Sequence, residues 1–136
     1  MTVKLAIGAA ISLIALALTS GPASAHIRKY IAEPEITNVS GYNVSTGLYS
    51  FVAGDLESVK PACRQSRTIS LYDSAGLVAT TTTAVDYHGT WRIDTSPTVT
   101  VSHGNTYWVT VDKLILKHNR KHKHVCKAGA SEPTPL

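Results

Sequence analysis

Apolar and polar residues alternate along most of the chain between residues 48 and 126. Successive side chains of a strand point to opposite faces, so this alternation predicts strands that each bury one face. After residue 25 no long segment repeats apolar residues at helical spacing, while Thr, Val and Tyr, which favour strands, are abundant. The pattern predicts strands at 48–57, 68–72, 77–84, 90–94, 106–112, 114–117 and 121–126, with a short extended piece at 98–101.

Turn-forming residues separate these strands at short intervals. They are Asp73 to Gly76, Asp86 to Gly89, His103 to Asn105, and Asn119 with Arg120, which would join the last two strands in a hairpin. Gly54, inside the first strand, predicts a bulge or a close backbone approach. Short strands with turns at regular intervals predict an all-β protein, an antiparallel Ig-like β-sandwich of about seven strands.

The two ends of the chain lack this alternation. Residues 26–35 have no clear period and contain Pro34, which argues against a regular element. An exposed N-terminal arm is therefore expected at residues 26–47. Residues 128–136 are small and include prolines, which predicts a flexible C-terminal tail. The sandwich domain is therefore expected to span residues 48–127.

The first 25 residues have the pattern of a secretory signal peptide. Lys4 precedes an apolar run at residues 5–18, and Ala-Ser-Ala at 23–25 matches a cleavage site. The run is shorter than the roughly 20 residues that span a bilayer. We expect a cleaved signal helix, a mature chain that begins at His26 without a transmembrane segment, and a secreted, extracellular or cell-envelope location.

Two cysteines, Cys63 and Cys126, follow the predicted cleavage site. One even pair in an exported domain predicts a disulfide, which would stabilise the fold by about 4 kcal/mol in the chain-entropy model. The alternative is a pair of metal-binding thiols, but such sites usually have the close Cys-x-x-Cys spacing that this chain lacks.

Several landmarks occur in a recognisable order. They are Phe51 with Gly54, Cys63 shortly before Arg67-Thr68-Ile69-Ser70-Leu71-Tyr72, Asp86-x-x-Gly89-Thr90-Trp91, Gly104-x-x-Tyr107, and Cys126 before Lys127-Ala128. Together they resemble the transthyretin-like, carboxypeptidase-regulatory-like β-sandwich domain of exported actinobacterial proteins. The resemblance implies core positions for Trp91 and Tyr107, a bridge that ties the sandwich edges, and a binding, spacer or surface role without an active site.

Positive charge is concentrated near the C-terminus. Residues 113–127 hold six Lys or Arg and no acid, whereas the rest of the chain after residue 25 holds six basic and nine acidic residues. The strip predicts a surface for an anionic envelope polymer or a protein partner, formed by Lys117, Arg120, Lys121, Lys123 and Lys127. It contains no aromatic residue for base stacking, so sequence-specific nucleic-acid binding is not expected. The alternative is that the charges serve solubility alone.

Histidines in the same strip form a candidate metal site. His122 and His124 share a strand face, and His118 lies across the predicted turn, so three imidazoles could bind Zn²⁺, Cu²⁺ or Ni²⁺. The interleaved basic residues oppose a cation, and the alternative is a solvated basic loop. His26 is a further candidate, because a mature N-terminal His offers an imidazole and an amine to copper; the alternative is that the residue after the cleavage site has no special role.

Catalytic patterns are missing from the sequence. It has no glycine-rich phosphate loop, no His-Glu-x-x-His and no Gly-x-Ser-x-Gly. Ser102 and His103 are adjacent, which is wrong for a nucleophile and base that must meet side by side. We therefore expect a secreted, non-enzymatic module that needs no cofactor, with an extracellular metal-binding protein as the alternative.

Overall fold

The computed structural model describes residues 26–136, whose regular secondary structure consists almost entirely of strands joined by turns and loops. The strands are β1 (His26–Tyr30), β2 (Glu33–Ser40), β3 (Phe51–Glu57), β4 (Thr68–Asp73), β5 (Gly76–Thr82), β6 (Trp91–Asp94), β7 (Thr106–Val111), β8 (Leu114–Lys117), β9 (His122–Cys126), β10 (Gly129–Ala130) and β11 (Thr134–Pro135). A single 3-10 turn covers Pro61–Cys63 within this part of the chain. The predicted all-β class is confirmed, and the predicted signal helix lies outside the described residues.

Two antiparallel sheets enclose the hydrophobic core. One has the strand order β2-β3-β6 and the other β10-β7-β4-β5, with β11 also paired to β7. In β7 the residues Tyr107, Val109 and Val111 are buried, while the residues between them are not. This alternation directs one face of each sheet inward, where Leu56 and Leu71 are also fully buried. The arrangement is consistent with a β-sandwich.

Gly54 lies at a close approach between two strands and the core. It is paired with Ile36, next to a register shift in β2 between Ile36 and Asn38. A Cβ added at Gly54 would meet the backbone carbonyl of Glu35 and lie 2.6 Å from Cζ2 of Trp91. The predicted bulge or close approach is therefore confirmed, because only a glycine leaves room for the Trp91 ring.

Residues 26–40 differ from the predicted exposed arm, because they form β1 and β2. Ala32 and Pro34 are buried, and β2 pairs with β3 from Glu33 to Ser40. Pro34 is tolerated because β2 is an edge strand of its sheet, where a missing N–H need not break a ladder. Pro34 therefore marks an edge strand of a sheet and not an irregular segment.

Residues 128–136 also differ from the predicted flexible tail. β10 and β11 both pair with β7, and Leu136 packs against the core. The backbone N–H of Leu136 donates to the carbonyl of Asn105. Pairing of this kind uses backbone groups and needs no apolar pattern, which is why the small and proline-containing sequence does not reveal it.

A third sheet, with the order β1-β9-β8, lies apart from the core. β8 and β9 form the predicted antiparallel hairpin, but β1 pairs with β9 in parallel. The prediction of a wholly antiparallel protein is thus wrong for this pair, because a strand far away in sequence supplies the third member. Within the described residues, the hydrophobic core cluster takes no residue from β1, β8 or β9.

Candidate functional site

The third sheet, β1, β9 and β8 with the residues that adjoin them, is the most strongly charged region of the protein, and we call it the basic sheet. Its lysines and arginines are Arg28, Lys29, Lys113, Lys117, Arg120, Lys121, Lys123 and Lys127, and segments 26–31 and 113–127 contain no acid. The single ion pair among the described residues is Arg92–Asp94, on β6. Over residues 26–136, no lysine or arginine of the basic sheet therefore forms an ion pair with a carboxylate.

The register of the strands gives the basic sheet two different faces. Paired residues of neighbouring strands point to the same side, so His26, Arg28 and Tyr30 of β1 share a face with His122 and His124 of β9. Leu116 of β8, paired with His124, lies on this face, and so does His118, two residues further along. We call it the imidazole face because it holds four of the six histidines in the chain.

Three of these histidines form a row across the sheet. His26 is paired with His122 and stacks on it, with ring centroids 6.0 Å apart and planes 9° apart. On the other side of His122, the backbone N–H of His118 donates to the carbonyl oxygen of His122 at 3.2 Å. The row therefore runs His26, His122, His118, with Arg28 and His124 behind it.

His118 and His124 make the closest side-chain contact on this face. Nε2 of His118 lies 3.1 Å from Nδ1 of His124, so one ring donates and the other accepts. The pKa of His124 is lowered, first by desolvation and then by positive charge on Lys60, His118, Arg28 and His122. A lowered pKa favours the neutral imidazole, which can accept a hydrogen bond or bind a metal.

The opposite side of the basic sheet, which we call the lysine face, combines lysines with aliphatic residues. It carries Ile27 and Lys29 from β1, Lys123 and Val125 from β9, and Ile115 and Lys117 from β8. Ile27 is 56% exposed and Ile115 is 46% exposed. Both faces of the basic sheet are therefore at least partly open to solvent, unlike the sheets that enclose the core.

A covalent and polar anchor fixes the basic sheet to the body. Cys126, at the end of β9, forms a disulfide with Cys63, with the Cα atoms 5.4 Å apart, which confirms the predicted bridge. Beside it the buried side chain of Arg67 donates to the backbone carbonyls of Cys63, Asp112 and Lys127. Burial lowers the pKa of Arg67, and the charge of Asp112 opposes that shift. The anchor thus lies where β8 and β9 leave the core.

The tip of the β8–β9 hairpin is ordered by one side chain. Oδ1 of Asn119 accepts hydrogen bonds from the backbone N–H groups of Lys121 and His122, both at 2.8 Å. This Asx-type turn fixes the chain direction between the two strands. It also fixes where His118 lies relative to His122.

The predicted site residues are only partly brought together. Lys117 and Lys123 are cross-strand partners on the lysine face, whereas Arg120 and Lys121 lie at the hairpin tip. Lys127 follows β9, and its backbone N–H donates to the carbonyl of Tyr30. The charged strip therefore extends over both faces and the end of the basic sheet.

The side chains of the three hairpin histidines, predicted as a metal site, do not converge on one point in the structure. Among residues 26–136 no group of three or more His, Cys, Asp or Glu side chains lies close enough to hold a metal ion. His118 and His124 meet, but His122 stacks on His26. His103 is elsewhere, 3.0 Å from the hydroxyl of Tyr49, and His88 lies in the turn before β6.

Sequence reasoning missed the contribution of β1 and of Arg67. Arg28 and Lys29 belong to the basic sheet only because β1 pairs with β9, and a parallel pairing between distant segments has no local signature. The one shared property visible in the sequence is that residues 26–31, like residues 113–127, carry basic residues and no acid. Arg67 is a charged residue within a strand-like pattern, and nothing in its neighbours marks it as buried.

Comparison with protein-family models, with curated proteins and with solved structures gives no match to this chain. Over residues 26–136 there is no helix whose length and hydrophobicity would allow it to cross a membrane. The basic sheet is the region whose chemistry points to a function.

Proposed function

We propose that the protein is an exported, non-enzymatic β-sandwich module whose basic sheet binds an anionic polymer of the cell envelope. The observation that carries this proposal is the parallel pairing of β1 with β9, which adds Arg28 and Lys29 to the basic hairpin. The result is a three-stranded surface with eight fixed positive charges and no acid.

Export is supported by two separate features. The first 25 residues have the order of a signal peptide, and the Cys63–Cys126 disulfide suits an oxidising compartment. The transthyretin-like identity is also part of the proposal. It is supported by two antiparallel sheets around one core and by the buried positions of Trp91 and Tyr107. The Cys63–Cys126 bridge joins the basic sheet to the body and does not tie the sandwich edges that the resemblance implies.

The shape of the basic sheet favours an extended ligand over a small one. Both faces are partly open to solvent, and the charges are spread over three strands and a hairpin tip. A small anion would contact one or two of these groups, whereas a polymer of phosphate or carboxylate units can contact many at once. Each contact adds Coulomb attraction and releases condensed counterions, so binding should weaken steeply as salt rises.

The experiment compares two single arginine variants that remove the same charge. Arg28→Gln removes a charge from the imidazole face, and Arg92→Gln removes one from β6, where Arg92 pairs with Asp94. Binding to long-chain polyphosphate and to polygalacturonate is measured by calorimetry at several salt concentrations. We expect Arg28→Gln to weaken binding about threefold to tenfold, with a shallower salt dependence, and Arg92→Gln to leave it within about twofold.

Two results would contradict the proposal. One is an absence of salt-dependent binding of the unaltered protein to either polymer. The other is an equal loss in Arg28→Gln and Arg92→Gln, which would mean that net charge alone matters. The first result would support the alternative view, in which the positive strip serves only solubility.

A further inference from the structure

We propose that His118, His122 and His124 bind one divalent transition-metal ion of the Zn²⁺ or Cu²⁺ class on the imidazole face. This chemistry is separate from polyanion binding, which depends on lysines and arginines. The site uses backbone positions that the hairpin already fixes and requires one imidazole to change its orientation.

The backbone places the three histidines as neighbours on one surface. His122 and His124 are two residues apart on β9, so their side chains leave the same face. His118 lies across from His122 on the β8 side, held by the hydrogen bond from its N–H to the carbonyl of His122. Two candidate ligands from one strand and a third from its neighbour therefore leave the same face of the hairpin.

Two of the three ligand atoms are already close to the spacing that a metal needs. Nε2 of His118 and Nδ1 of His124 are 3.1 Å apart. Two imidazole nitrogens bound to one tetrahedral Zn²⁺, with bonds of about 2.0–2.1 Å, lie roughly 3.3 Å apart. A metal ion could therefore replace the hydrogen bond between these rings after a shift of a few tenths of an ångström.

The third ligand, His122, must leave its stack on His26. Both histidines are exposed, and their ring centroids are 6.0 Å apart, so the stack holds His122 only loosely. Rotation about its side-chain bonds turns the ring along the row towards His118. The Asn119 turn keeps the backbone of His118 and His122 in place during this change.

The surroundings determine which ions can bind. The basic sheet offers no carboxylate, and Ca²⁺ and Mg²⁺ require oxygen ligands, so both are excluded. Neighbouring Arg28 and Lys60 repel any cation, which restricts the site to ions that gain strongly from imidazole nitrogen. Zn²⁺ and Cu²⁺ meet this condition.

The test is calorimetric titration of ZnCl₂ and CuCl₂ into protein expressed from the full coding sequence and purified without a polyhistidine tag. We expect one ion per chain, and at least a tenfold loss of affinity in each of His118→Ala, His122→Ala and His124→Ala. The matched controls are His88→Ala and His103→Ala, which remove exposed histidines from other parts of the surface. They should leave the affinity within about twofold.

His26→Ala distinguishes this site from one centred on the N-terminal segment. Since His26 only stacks on His122, removing its imidazole should leave metal affinity unchanged or raise it. A loss as large as that in His124→Ala would overturn the assignment, and so would full binding by His122→Ala or no binding by the unaltered protein. None of these results affects polyphosphate binding by the lysines and arginines, so the two proposals fail separately.

Discussion

The two-sheet body and the basic sheet are held together in different ways. In the body, alternate residues of β3, β4, β6 and β7 are buried in one apolar cluster. In the basic sheet both faces are partly open to solvent, and stability comes from backbone pairing, the disulfide and the buried Arg67. Side chains of the body are therefore used for folding, whereas many of those in the basic sheet remain available to contact a ligand.

The largest effect on stability is expected when the covalent anchor between the body and the basic sheet is removed. Replacing both cysteines, Cys63→Ala with Cys126→Ala, opens a loop with a sequence separation of 63 residues. In the chain-entropy model this lowers the free energy of unfolding by about 4 kcal/mol. Because the basic sheet adds nothing to the core cluster, we also expect it to become the first segment cut by a protease.

Urea denaturation measures the first effect, and limited proteolysis followed by mass spectrometry measures the second. The unaltered protein under reducing conditions serves as a control, because it breaks the same bond without changing a residue. Initial cleavage within β4 or β7, and not around the β8–β9 hairpin, would contradict the division into a packed body and an appended sheet.

A second test compares one aliphatic residue from each region. Leu71 of β4 is fully buried, whereas Ile115 of β8 is 46% exposed. Leu71→Ala should lower the free energy of unfolding by about 3 kcal/mol, because it leaves a cavity in the core. Ile115→Ala should cost less than about 1 kcal/mol, since most of the lost contact is with solvent.

Both values come from chemical denaturation of the oxidised protein under identical conditions. Equal losses in the two variants would mean that the lysine face is covered by something in solution, such as a second copy of the chain. Sedimentation of the Ile115→Ala variant and of the unaltered protein would then show whether a second copy covers the lysine face.

In both regions, strands that bury alternate residues were more predictable from the sequence than strands held mainly by backbone pairing. Alternation at Tyr107, Val109 and Val111 reports burial directly, so the positions of these strands follow from the pattern. Pro34 and the residues after Cys126 pair through backbone groups, which leave no apolar signature, and both were therefore expected to be irregular. The same limit concealed β1, whose partner lies almost a hundred residues away in the chain.

At the candidate site, the sequence predicted the hairpin and the shared face of His122 and His124, because a strand has a period of two. It could not predict that His122 would stack on His26, since that contact depends on the parallel pairing of β1. The sequence also could not show that the lysines and the histidines lie on opposite faces, because that depends on the register of all three strands.

The smallest expected effect concerns the hairpin tip. Asn119→Ala removes the oxygen that accepts hydrogen bonds from the N–H groups of Lys121 and His122. Each bond is worth about 1 kcal/mol, and the tip is exposed, so the loss should remain local. We expect amide hydrogen exchange at Lys121 and His122 to speed up about fivefold to tenfold.

The matched control is Asn43→Ala, because Oδ1 of Asn43 accepts from the N–H of Ser45 in a similar turn of the loop after β2. That variant should speed exchange at Ser45 and leave Lys121 and His122 unchanged. Denaturation midpoints of both variants should remain close to that of the unaltered protein. A lower stability of the core strands in Asn119→Ala would contradict this division. It would mean that the basic sheet and the body unfold together, coupled through the anchor at Cys126 and Arg67.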